Sequence, residues 1–543
     1  MTLSKHVDAE KMESSLLKAT RNKFNVAKTD RYLSSYNANV QIPKYSIPQD
    51  STLPELVSQL LQSELTLDGN PTLNLASFVN THIDPEAAAL VASNLVKNLA
   101  DNDEYPALLD IHQRCVSIIS GLWHGNAHKA VGSATTGSSE AIMLGGLAMK
   151  KTWQNKRKAA GKDISNPNIL MATCAQVALE KFARYFDVED RLIPVCAESD
   201  HMIDVSKIRE NVDENTIGIF VIVGSTFTGG FEPVKEISEL LDTIQKETGI
   251  DVPIHVDGAS GGFVAPFVFP DLEWDFRVPR VVSINTSGHK FGLVTAGLGW
   301  IIFRDAAYLP ESLKFQLDYL GGIEETFTLN FSRPGFPVIH QYYNFLKLGR
   351  KGYTDVFKSC LQNARLLANC LDYSEYFTTV SNIHKPILGG VVSKDLGADE
   401  KFNPGLPVVS FRFSDEFVKE YPEIPQSIIS QLLRAKGWIV PNYKLPPSES
   451  NIEILRVVVR DSVTLDLLDK LLSDIIDLTE KLIHSVQLIR NMEGKDVKQN
   501  TSDIYAILYS MASEGKVTIA DIQKNFAAKD SHPSSGKPYR ATC

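Results

Sequence analysis

The sequence contains no apolar run close to the roughly 18 residues that a membrane-spanning helix requires. Its opening stretch, MTLSKHVDAEKMESS, lacks the apolar segment of a secretory signal, so we expect a cytoplasmic protein. Positive charge is not in excess either, because 55 Lys and Arg residues stand against 65 Asp and Glu residues. These absences argue against a membrane or a nucleic acid as the main partner and favour a small molecule.

Cysteine is scarce, with six residues in a chain of 543, and no two of them have the CxxC spacing of a zinc or redox site. We therefore expect neither a disulfide framework nor a structural metal. What the sequence does contain is 43% hydrophobic residues, which is enough for a sizeable core. The composition predicts a globular protein with one large domain and one or two smaller ones.

Apolar segments rich in Val and Ile alternate with helical segments in the middle of the chain. IGIFVIVG (217–224), VPIHVD (252–257) and RVVSIN (280–285) have the near-continuous apolar character of strands that are covered on both faces. The amphipathic segment PVKEISELLDTIQKETG lies between the first two of these strands. This alternation predicts an α/β domain with a mostly parallel sheet.

Changes in composition divide the chain into four parts. We predict a polar N-terminal arm over 1–60, the large α/β domain over 61–345, a smaller α+β domain over 346–487 and a polar extension over 488–543. The extension contains SEGKVTIADIQKNFAAK, which can form an amphipathic helix. It has no Trp and only modest positive charge, so we do not expect it to bind calmodulin.

Polar residues follow the predicted strands at the carboxyl ends, where open α/β sheets form their sites. They are Thr226, Asp257, Ser287, His289 and Lys290. In addition, TTGSSEAIMLGG places Ser138 and Ser139 at a predicted helix start. Backbone N–H groups and the helix dipole favour an anion such as phosphate at that position.

Taken one at a time, these residues also have plain structural interpretations. Ser138 and Ser139 can simply cap the helix. His255 and Asp257 can be read as metal ligands, although no other cluster completes a coordination shell. Lys290 can be a lysine that extends its amine from a strand end into water. The residues alone leave these alternatives open.

Taken together, these residues match the requirements of pyridoxal phosphate. That cofactor needs an anchor for its phosphate, a carboxylate that keeps its ring nitrogen protonated and an amine that bonds to its aldehyde. The serines, Asp257 and Lys290 supply these three groups in one predicted domain. Burial disfavours the ammonium form of a lysine, so the amine of Lys290 would be available for that bond.

Segments spread from about residue 60 to about residue 480 resemble the glutamate decarboxylases, of a eukaryotic, fungal type. They are LDGNPTLNLASFV (67–79), VGSATTGSSEAIMLGG (131–146), KFARYFDVE (181–189), HVDGASGGFVAPF (255–267), SGHKFG (287–292) and NFSRPG (330–335). The resemblance implies the aspartate-aminotransferase-like fold type I of the group II pyridoxal-phosphate decarboxylases. It also implies decarboxylation of L-glutamate to 4-aminobutanoate and carbon dioxide, by a homodimer that shares its active sites.

The resemblance also implies roles for individual residues. Lys290 would carry the cofactor, Asp257 would pair with its ring nitrogen and His289 would help to position it. The other cofactor contacts would be Ser138, Ser139, Gln176, Thr226 and Ser287, with Ser332 reaching in from the second subunit. For the substrate, Arg456 would bind the α-carboxylate, and Ser77 and Phe78 would receive the distal carboxylate together with Asn98 and Asp101 of the second subunit.

The roles of two further positions, Tyr319 and Ser77, also follow from the resemblance. Tyr319, in LDYLGGIEETFTLN, is a candidate proton donor to the α-carbon, but it could equally be a packing residue at the dimer contact. Ser77 stands where the bacterial enzymes usually carry Thr, a change that keeps the hydroxyl group and loses a methyl group. We expect the choice of substrate to survive that change.

Three other functions are compatible with parts of this pattern. A decarboxylase of another amino acid, aromatic or aspartate, would use the same cofactor, but an aromatic substrate should have an apolar pocket in place of Ser77, Asn98 and Asp101. A lyase that acts on a phosphorylated amino alcohol would need a second phosphate site, which is not visible. A scaffold without cofactor or activity would have no need to keep Lys290 and Asp257.

Overall fold

The computed structural model describes residues 45–317, 324–387 and 402–492. The chain forms two compact units, Met1–Asn70 and Pro71–Cys543. In the first unit, helix α1 spans Pro54–Leu65 and has a proline in its first turn, where the missing N–H group costs no hydrogen bond. All of the sheets and the other helices named below belong to the second unit.

The second unit is built on a sheet of seven strands in the order β1-β7-β6-β5-β4-β2-β3. The strands are β1 (Val131–Thr135), β2 (Asn168–Ala172), β3 (Glu189–Ile193), β4 (Thr216–Ile222), β5 (Ile254–Asp257), β6 (Val281–Thr286) and β7 (Gly299–Phe303). Strand β7 runs antiparallel to both of its neighbours, and the pairs among β2 to β6 are parallel. The predicted mostly parallel sheet is confirmed.

Helices cover both faces of this sheet. They are α2 (Pro85–Ala92), α3 (Pro106–Leu122), α4 (Ser138–Ala159), α5 (Val177–Tyr185), α6 (Val234–Thr248) and α7 (Gly261–Val268). Successive residues of β4 point to opposite faces, so Phe220 packs in one apolar cluster with α4 and α5, whereas Val221 packs in another with α3. Burial on both faces explains why these strands are apolar throughout.

A second, antiparallel sheet has four strands in the order β10-β11-β13-β12. The strands are β10 (Phe377–Thr379), β11 (Val408–Phe413), β12 (Asn442–Lys444) and β13 (Glu453–Val458). The accompanying helices are α9 (Asp415–Glu420), α10 (Ser427–Ala435) and α11 (Leu465–Met492). A short pair, β8 (Phe315–Leu317) and β9 (Glu324–Thr326), stands apart. This arrangement agrees with the predicted smaller α+β region, although the boundaries at residues 60, 345 and 487 stay predictions.

Helix α8 (Phe336–Tyr373) connects the two sheets. Its first part contributes Phe345 and Phe357 to the core of the large sheet, and its last part contributes Leu367 and Leu371 to the core of the small one. Gly349 interrupts the helical geometry with φ 57° and ψ −171°, which only glycine adopts without strain. No helix in the described part of the chain is long and apolar enough to cross a membrane.

Candidate active site

The carboxyl ends of the parallel strands open into a cavity of about 340 Å³, which is within the size range of small-molecule sites. The predicted cofactor residues that line it are Ser138, Ser139, Gln176, Thr226, Asp257, Ser287, His289 and Lys290. A larger cavity, of about 520 Å³, lies along α6 and contains none of the predicted residues. We identify the smaller cavity as the candidate site because the chemical groups are there.

One end of the cavity is suited to an anion. Helix α4 begins at Ser138, so its first-turn N–H groups have no partner within the helix. The Ser138 and Ser287 hydroxyl oxygens are 2.6 Å apart, which joins the start of α4 to the segment after β6. Hydroxyl donors and the positive end of a helix dipole together form a phosphate site.

The amine of Lys290 lies in the same cavity. Its Nζ is 3.2 Å from the Ser260 hydroxyl oxygen and 5.4 Å from the centre of the Phe78 ring. Burial lowers the pKa of Lys290, and the charge of Arg456 lowers it further, against the opposing effect of Asp257. The environment thus favours the neutral amine, which is the nucleophilic form.

Asp257 ends strand β5 and is buried. Its Oδ1 accepts hydrogen bonds from the Ala259 N–H group at 3.0 Å and from the Asn285 amide at 2.9 Å. Its Oδ2 has no hydrogen-bond partner among the described residues. One carboxylate oxygen is therefore fixed by the protein and the other is available to a ligand.

His289 precedes the lysine and is neutral at physiological pH. Burial lowers its pKa to about 4, and the neighbouring charge of Lys290 acts in the same direction. Its Nδ1 accepts the Leu298 N–H group at 3.3 Å, so the ring proton is on Nε2. His289 can therefore donate one hydrogen bond from Nε2 to a ligand.

Arg456, on β13, brings a cation from the small sheet to this region. Its Nη1 donates to the Thr226 carbonyl oxygen at 2.7 Å, and its Nη2 donates to the Ala76 carbonyl oxygen. The guanidinium lies between two aromatic rings, 5.0 Å from the centre of Phe78 and 5.5 Å from that of Tyr443. Its buried Nε has no hydrogen-bond partner in the described residues, which leaves a donor for a carboxylate.

Gln176, which lines the cavity, also has a structural role, and the remaining predicted residues are at other places. Gln176 caps α5 by accepting the Ala178 N–H group at 2.7 Å, and the Ser77 hydroxyl accepts the Val79 N–H group at 3.1 Å. Asn98 accepts the Arg333 N–H group and lies 3.3 Å from the Ser332 hydroxyl oxygen. Asn98, Asp101 and Ser332 do not line the cavity of their own chain, and Tyr319 lies outside the described residues.

The residues of the cavity fit pyridoxal phosphate. The start of α4 with its serines can take the phosphate, burial lowers the pKa of the Lys290 amine, and Oδ2 of Asp257 is free for a ring N–H group. The conserved domain of the pyridoxal-dependent decarboxylases matches residues 43–393. The chain belongs to this family. Its cofactor is pyridoxal phosphate.

Individual relatives within the family cover most of the chain. Glutamate decarboxylase of Saccharomyces cerevisiae is 48% identical over 530 residues, which is 92% of this chain and 90% of that protein. Glutamate decarboxylase of Solanum lycopersicum is 47% identical over 81% of this chain and 83% of its own length. The solved structure of a Lactobacillus brevis glutamate decarboxylase superposes with a TM-score of 0.73 at 35% identity, over 85% of this chain and 98% of that one.

Three residues beside the site were not predicted from the sequence. Asn285 contacts Asp257, Tyr443 contacts Arg456, and Glu140 accepts hydrogen bonds from Thr136 and from the N–H groups of residues 329 and 330. A signal for Asn285 was present, because it ends the apolar strand next to that of Asp257, in register with it. Tyr443 and Glu140 have no comparable signal, since their contacts depend on how distant segments pack.

Both ring nitrogens of His255 have protein partners. Nδ1 is 2.7 Å from the Ser283 hydroxyl oxygen, and Nε2 is 2.7 Å from Oδ1 of Asn285. The interpretation of His255 and Asp257 as metal ligands is therefore not needed to explain either residue. Among the described residues no group of three or more metal-ligating side chains is found.

Proposed function

We propose that this protein decarboxylates L-glutamate to 4-aminobutanoate and carbon dioxide, as a cytoplasmic homodimer with pyridoxal phosphate. The observation that carries the proposal is the single cavity in which Lys290, Asp257 and the serine-lined start of α4 meet. The relatives that match over most of the chain are glutamate decarboxylases, which supports glutamate over other amino acids.

The cofactor would be held at three points by groups described above. Ser138, Ser287 and the N-terminus of α4 would bind its phosphate, and the Lys290 amine would attach its aldehyde carbon. Oδ2 of Asp257 would hold the proton on its ring nitrogen. When bound, pyridoxal phosphate supplies the electron sink that accepts the electron pair left on the α-carbon as carbon dioxide departs.

The protein must also orient the bond that breaks. Arg456 is fixed by two carbonyl oxygens and two rings, so its unpartnered Nε can hold the α-carboxylate in one direction. Held in this way, the α-carboxylate would present one bond of the substrate to the electron sink that the cofactor supplies. Phe78 lies beside both Lys290 and Arg456, which sets the width of the substrate site.

Substrate residues from a second subunit are part of the proposal. Asn98, Asp101 and Ser332 are partly or fully exposed, and none of them lines the cavity of its own chain. Asn98 contacts Ser332 and the N–H group of Arg333, so two of the three form a group. Such a group at a dimer contact would serve the cavity of the neighbouring chain. Tyr319 remains our candidate for the residue that returns a proton to the α-carbon.

The proposal is tested by turnover and by absorbance. The purified protein is incubated separately with glutamate, aspartate and tyrosine, and the carbon dioxide and amine produced are measured. We expect turnover of glutamate. We expect Lys290→Ala to lose both turnover and the visible absorbance of the bound cofactor, whereas the exposed control Lys235→Ala keeps both.

Two results would contradict the proposal. Turnover of tyrosine or aspartate in preference to glutamate would assign the protein to another decarboxylase specificity. An unchanged visible spectrum in Lys290→Ala would mean that another amine holds the cofactor.

A further inference from the structure

Behind Asp257 lies a row of buried side chains that the reaction described above does not use. Asn285 donates from Nδ2 to Oδ1 of Asp257 at 2.9 Å, and its Oδ1 is 2.7 Å from Nε2 of His255. Nδ1 of His255 is in turn 2.7 Å from the Ser283 hydroxyl oxygen. Ser283, His255 and Asn285 are fully buried, and Asp257 is 4% exposed.

Parallel pairing of two neighbouring strands produces this row. On β5, His255 and Asp257 are two residues apart and face the same side, and Ser283 and Asn285 on β6 do the same. The register pairs His255 with Ser283 and Asp257 with Asn285. The four side chains therefore interleave along one face of the sheet, and the row ends at the cofactor cavity.

The direction of each hydrogen bond in the row follows from the carboxylate of Asp257 at one end. A carboxylate only accepts, so Asn285 must turn its amide NH₂ towards Asp257 and its carbonyl oxygen towards His255. His255 must then carry its proton on Nε2, and Nδ1 must accept from the Ser283 hydroxyl group. Burial lowers the pKa of His255 to about 4, in agreement with a neutral ring that carries a single proton. Every donor in the row thus points towards Asp257.

A glycine in α4 makes room for the imidazole ring of His255, and this glycine lowers the stability of the helix. Gly145 lies within α4 opposite His255, and a Cβ atom at this position would be 2.4 Å from Nδ1. Glycine inside a helix destabilises it by roughly 0.5–1 kcal/mol relative to alanine. A simpler apolar contact between α4 and β5 would not need this glycine.

We propose that Asn285 and His255 are positioning residues for the cofactor, which fix Oδ1 of Asp257 and support its negative charge so that Oδ2 faces the ring nitrogen. Aligned hydrogen bonds polarise one another in a buried environment, so the row stabilises an anion without placing a cation beside it. The inference rests on the proposed function, because it assumes that Asp257 contacts the ring nitrogen.

Other charged groups near Asp257 agree with this assignment. Burial raises the pKa of Glu232 to about 8, and the negative charge of Asp257 adds to that effect. Glu232 is therefore mostly neutral at physiological pH and does not compete as an anion. On the cavity side of Asp257, burial disfavours the ammonium form of Lys290. The Asp257 carboxylate is thus supported on the protein side by two neutral donors, the Asn285 amide at the end of the row and the Ala259 N–H group.

Asn285→Leu removes the donor at nearly constant volume and tests the proposal directly. We expect the dissociation constant of the cofactor, measured by titrating the cofactor-free protein and following fluorescence, to rise about tenfold or more, because a hydrogen bond to a charged group is lost. We expect kcat to fall by a similar factor while KM for glutamate changes little. Ser283→Ala, at the far end of the row, should raise the cofactor dissociation constant and lower kcat as well, each by a few-fold.

Asn168→Leu is the matched control. Asn168 is also fully buried on this sheet and donates to a carboxylate, Asp213, at 2.8 Å, but it lies at the amino end of β2, away from the cavity. We expect this variant to lose thermal stability and to keep the cofactor affinity and kcat of the unmodified protein.

Two outcomes would overturn the inference. The first is unchanged cofactor affinity and kcat in both Asn285→Leu and Ser283→Ala. The second is an equal loss in Asn168→Leu, which would make the effect one of general stability. If Asn285→Leu does not fold, the result for Ser283→Ala decides. Failure of the unmodified protein to bind the cofactor would instead contradict the proposed function, so the two failures are distinguishable.

Discussion

Glu232 is a carboxyl group that is almost fully buried behind the wall of the active-site cavity. Its Oε2 accepts the Ile222 N–H group at 2.6 Å, and its Oε1 lies 3.8 Å from Sγ of Cys174. Burial raises its pKa from 4.5 to about 8, with Asp257 contributing in the same direction. The folded protein therefore holds a proton here that the unfolded chain releases near pH 4.5.

This proton makes the stability of the protein depend on pH. The contribution of Glu232 is fully present below about pH 4.5 and is lost as the pH rises through about 8, because the unfolded chain binds fewer protons over that interval. Glu232→Gln keeps the shape of the side chain but removes the group that titrates. From pH 5 to 8 we expect the variant to lose less unfolding free energy than the unmodified protein, by an amount on the order of a few kcal/mol.

The measurement is chemical denaturation at several pH values, with cofactor-free protein so that cofactor binding does not contribute. The exposed Glu236→Gln serves as the control and should follow the unmodified protein. Parallel stability profiles for Glu232→Gln and the unmodified protein would show that Glu232 is ionised in the folded state.

Single residues were predictable from the sequence where the sheet dictates their position. Asp257 and Lys290 follow apolar strands, and the structure places both in the cavity. The burial of Glu232 was not predictable, because a glutamate after FTGGF resembles a surface residue in the sequence. Segments that are distant in the sequence bury it in the fold. Asp84 is an intermediate case. An aspartate before Pro85 is typical of a helix start, and Asp84 does precede helix α2. Its side chain makes no capping bond, however, and its carboxylate contacts Lys347 instead.

Arg460 holds an element of the active site, the segment 71–81, in place. It is 3% exposed, and its guanidinium donates to the carbonyl oxygens of Val79 at 2.7 Å, Asn74 at 2.9 Å and Pro71 at 3.0 Å. The segment carries Ser77 and Phe78, which we expect at the substrate. One buried side chain therefore ties together both ends of a segment whose backbone also bonds to Ile439 and Val458 through Leu75.

Arg460→Lys keeps the charge but loses the planar fork that reaches several carbonyl oxygens. We expect KM for glutamate to rise about tenfold, because the loop that carries the substrate contacts is no longer fixed. The cofactor affinity should change little, since the cofactor contacts are on other segments. Steady-state kinetics and cofactor titration measure the two effects.

Arg490→Lys is a suitable control for this experiment. Arg490 is exposed and pairs with Glu423, far along α11 from the site. It should leave KM unchanged. A normal KM in Arg460→Lys would show that the segment 71–81 keeps its position without the fork.

Helices and strands were predicted from the sequence better than the breaks within them. The strands predicted at 217–224, 252–257 and 280–285 are observed as β4, β5 and β6, and the helical segment predicted between the first two is observed as α6. The break at Gly349 was not predicted, because one glycine in an amphipathic pattern is compatible with a continuous helix. Apolar residues on both sides of the break, Phe345 and Phe357, pack in the core of the large sheet.

The whole molecule is proposed to act as a dimer, and complementation between inactive subunits tests this. Lys290→Ala removes the amine of one site, and Ser332→Arg would block the site of the neighbour. In a mixed dimer, one of the two sites contains neither change. If subunits exchange at random, half of the dimers are mixed, so we expect about a quarter of the unmodified activity from an equal mixture of two inactive proteins.

Subunit exchange is demonstrated separately with differently tagged proteins. A mixture of Lys290→Ala with Asp257→Ala is the control. Both residues line the cavity of their own chain, so each of the two cavities in a mixed dimer contains one change, and the mixed dimers should stay inactive. Absence of activity in the first mixture, after exchange has been shown, would mean that Ser332 serves its own chain or none.

The fold class was predictable for the whole molecule because alternating apolar strands and amphipathic helices leave few arrangements. The order of the sheet, in which β7 inserts between β1 and β6, was not predictable from that alternation. The proposed assembly was inferred only from the resemblance, since Asn98, Asp101 and Ser332 carry no pattern of their own.

Helix α8 has a consequence for how such a gene can change. Its residues up to Phe357 complete the core of the large sheet and its residues from Ala364 onward complete the core of the small sheet, so the change of core comes after the break at Gly349. A recombination point within residues 336–373 would join half a helix to a foreign surface and expose apolar side chains on both sides. An exchange of the small domain at such a point would therefore destabilise both cores.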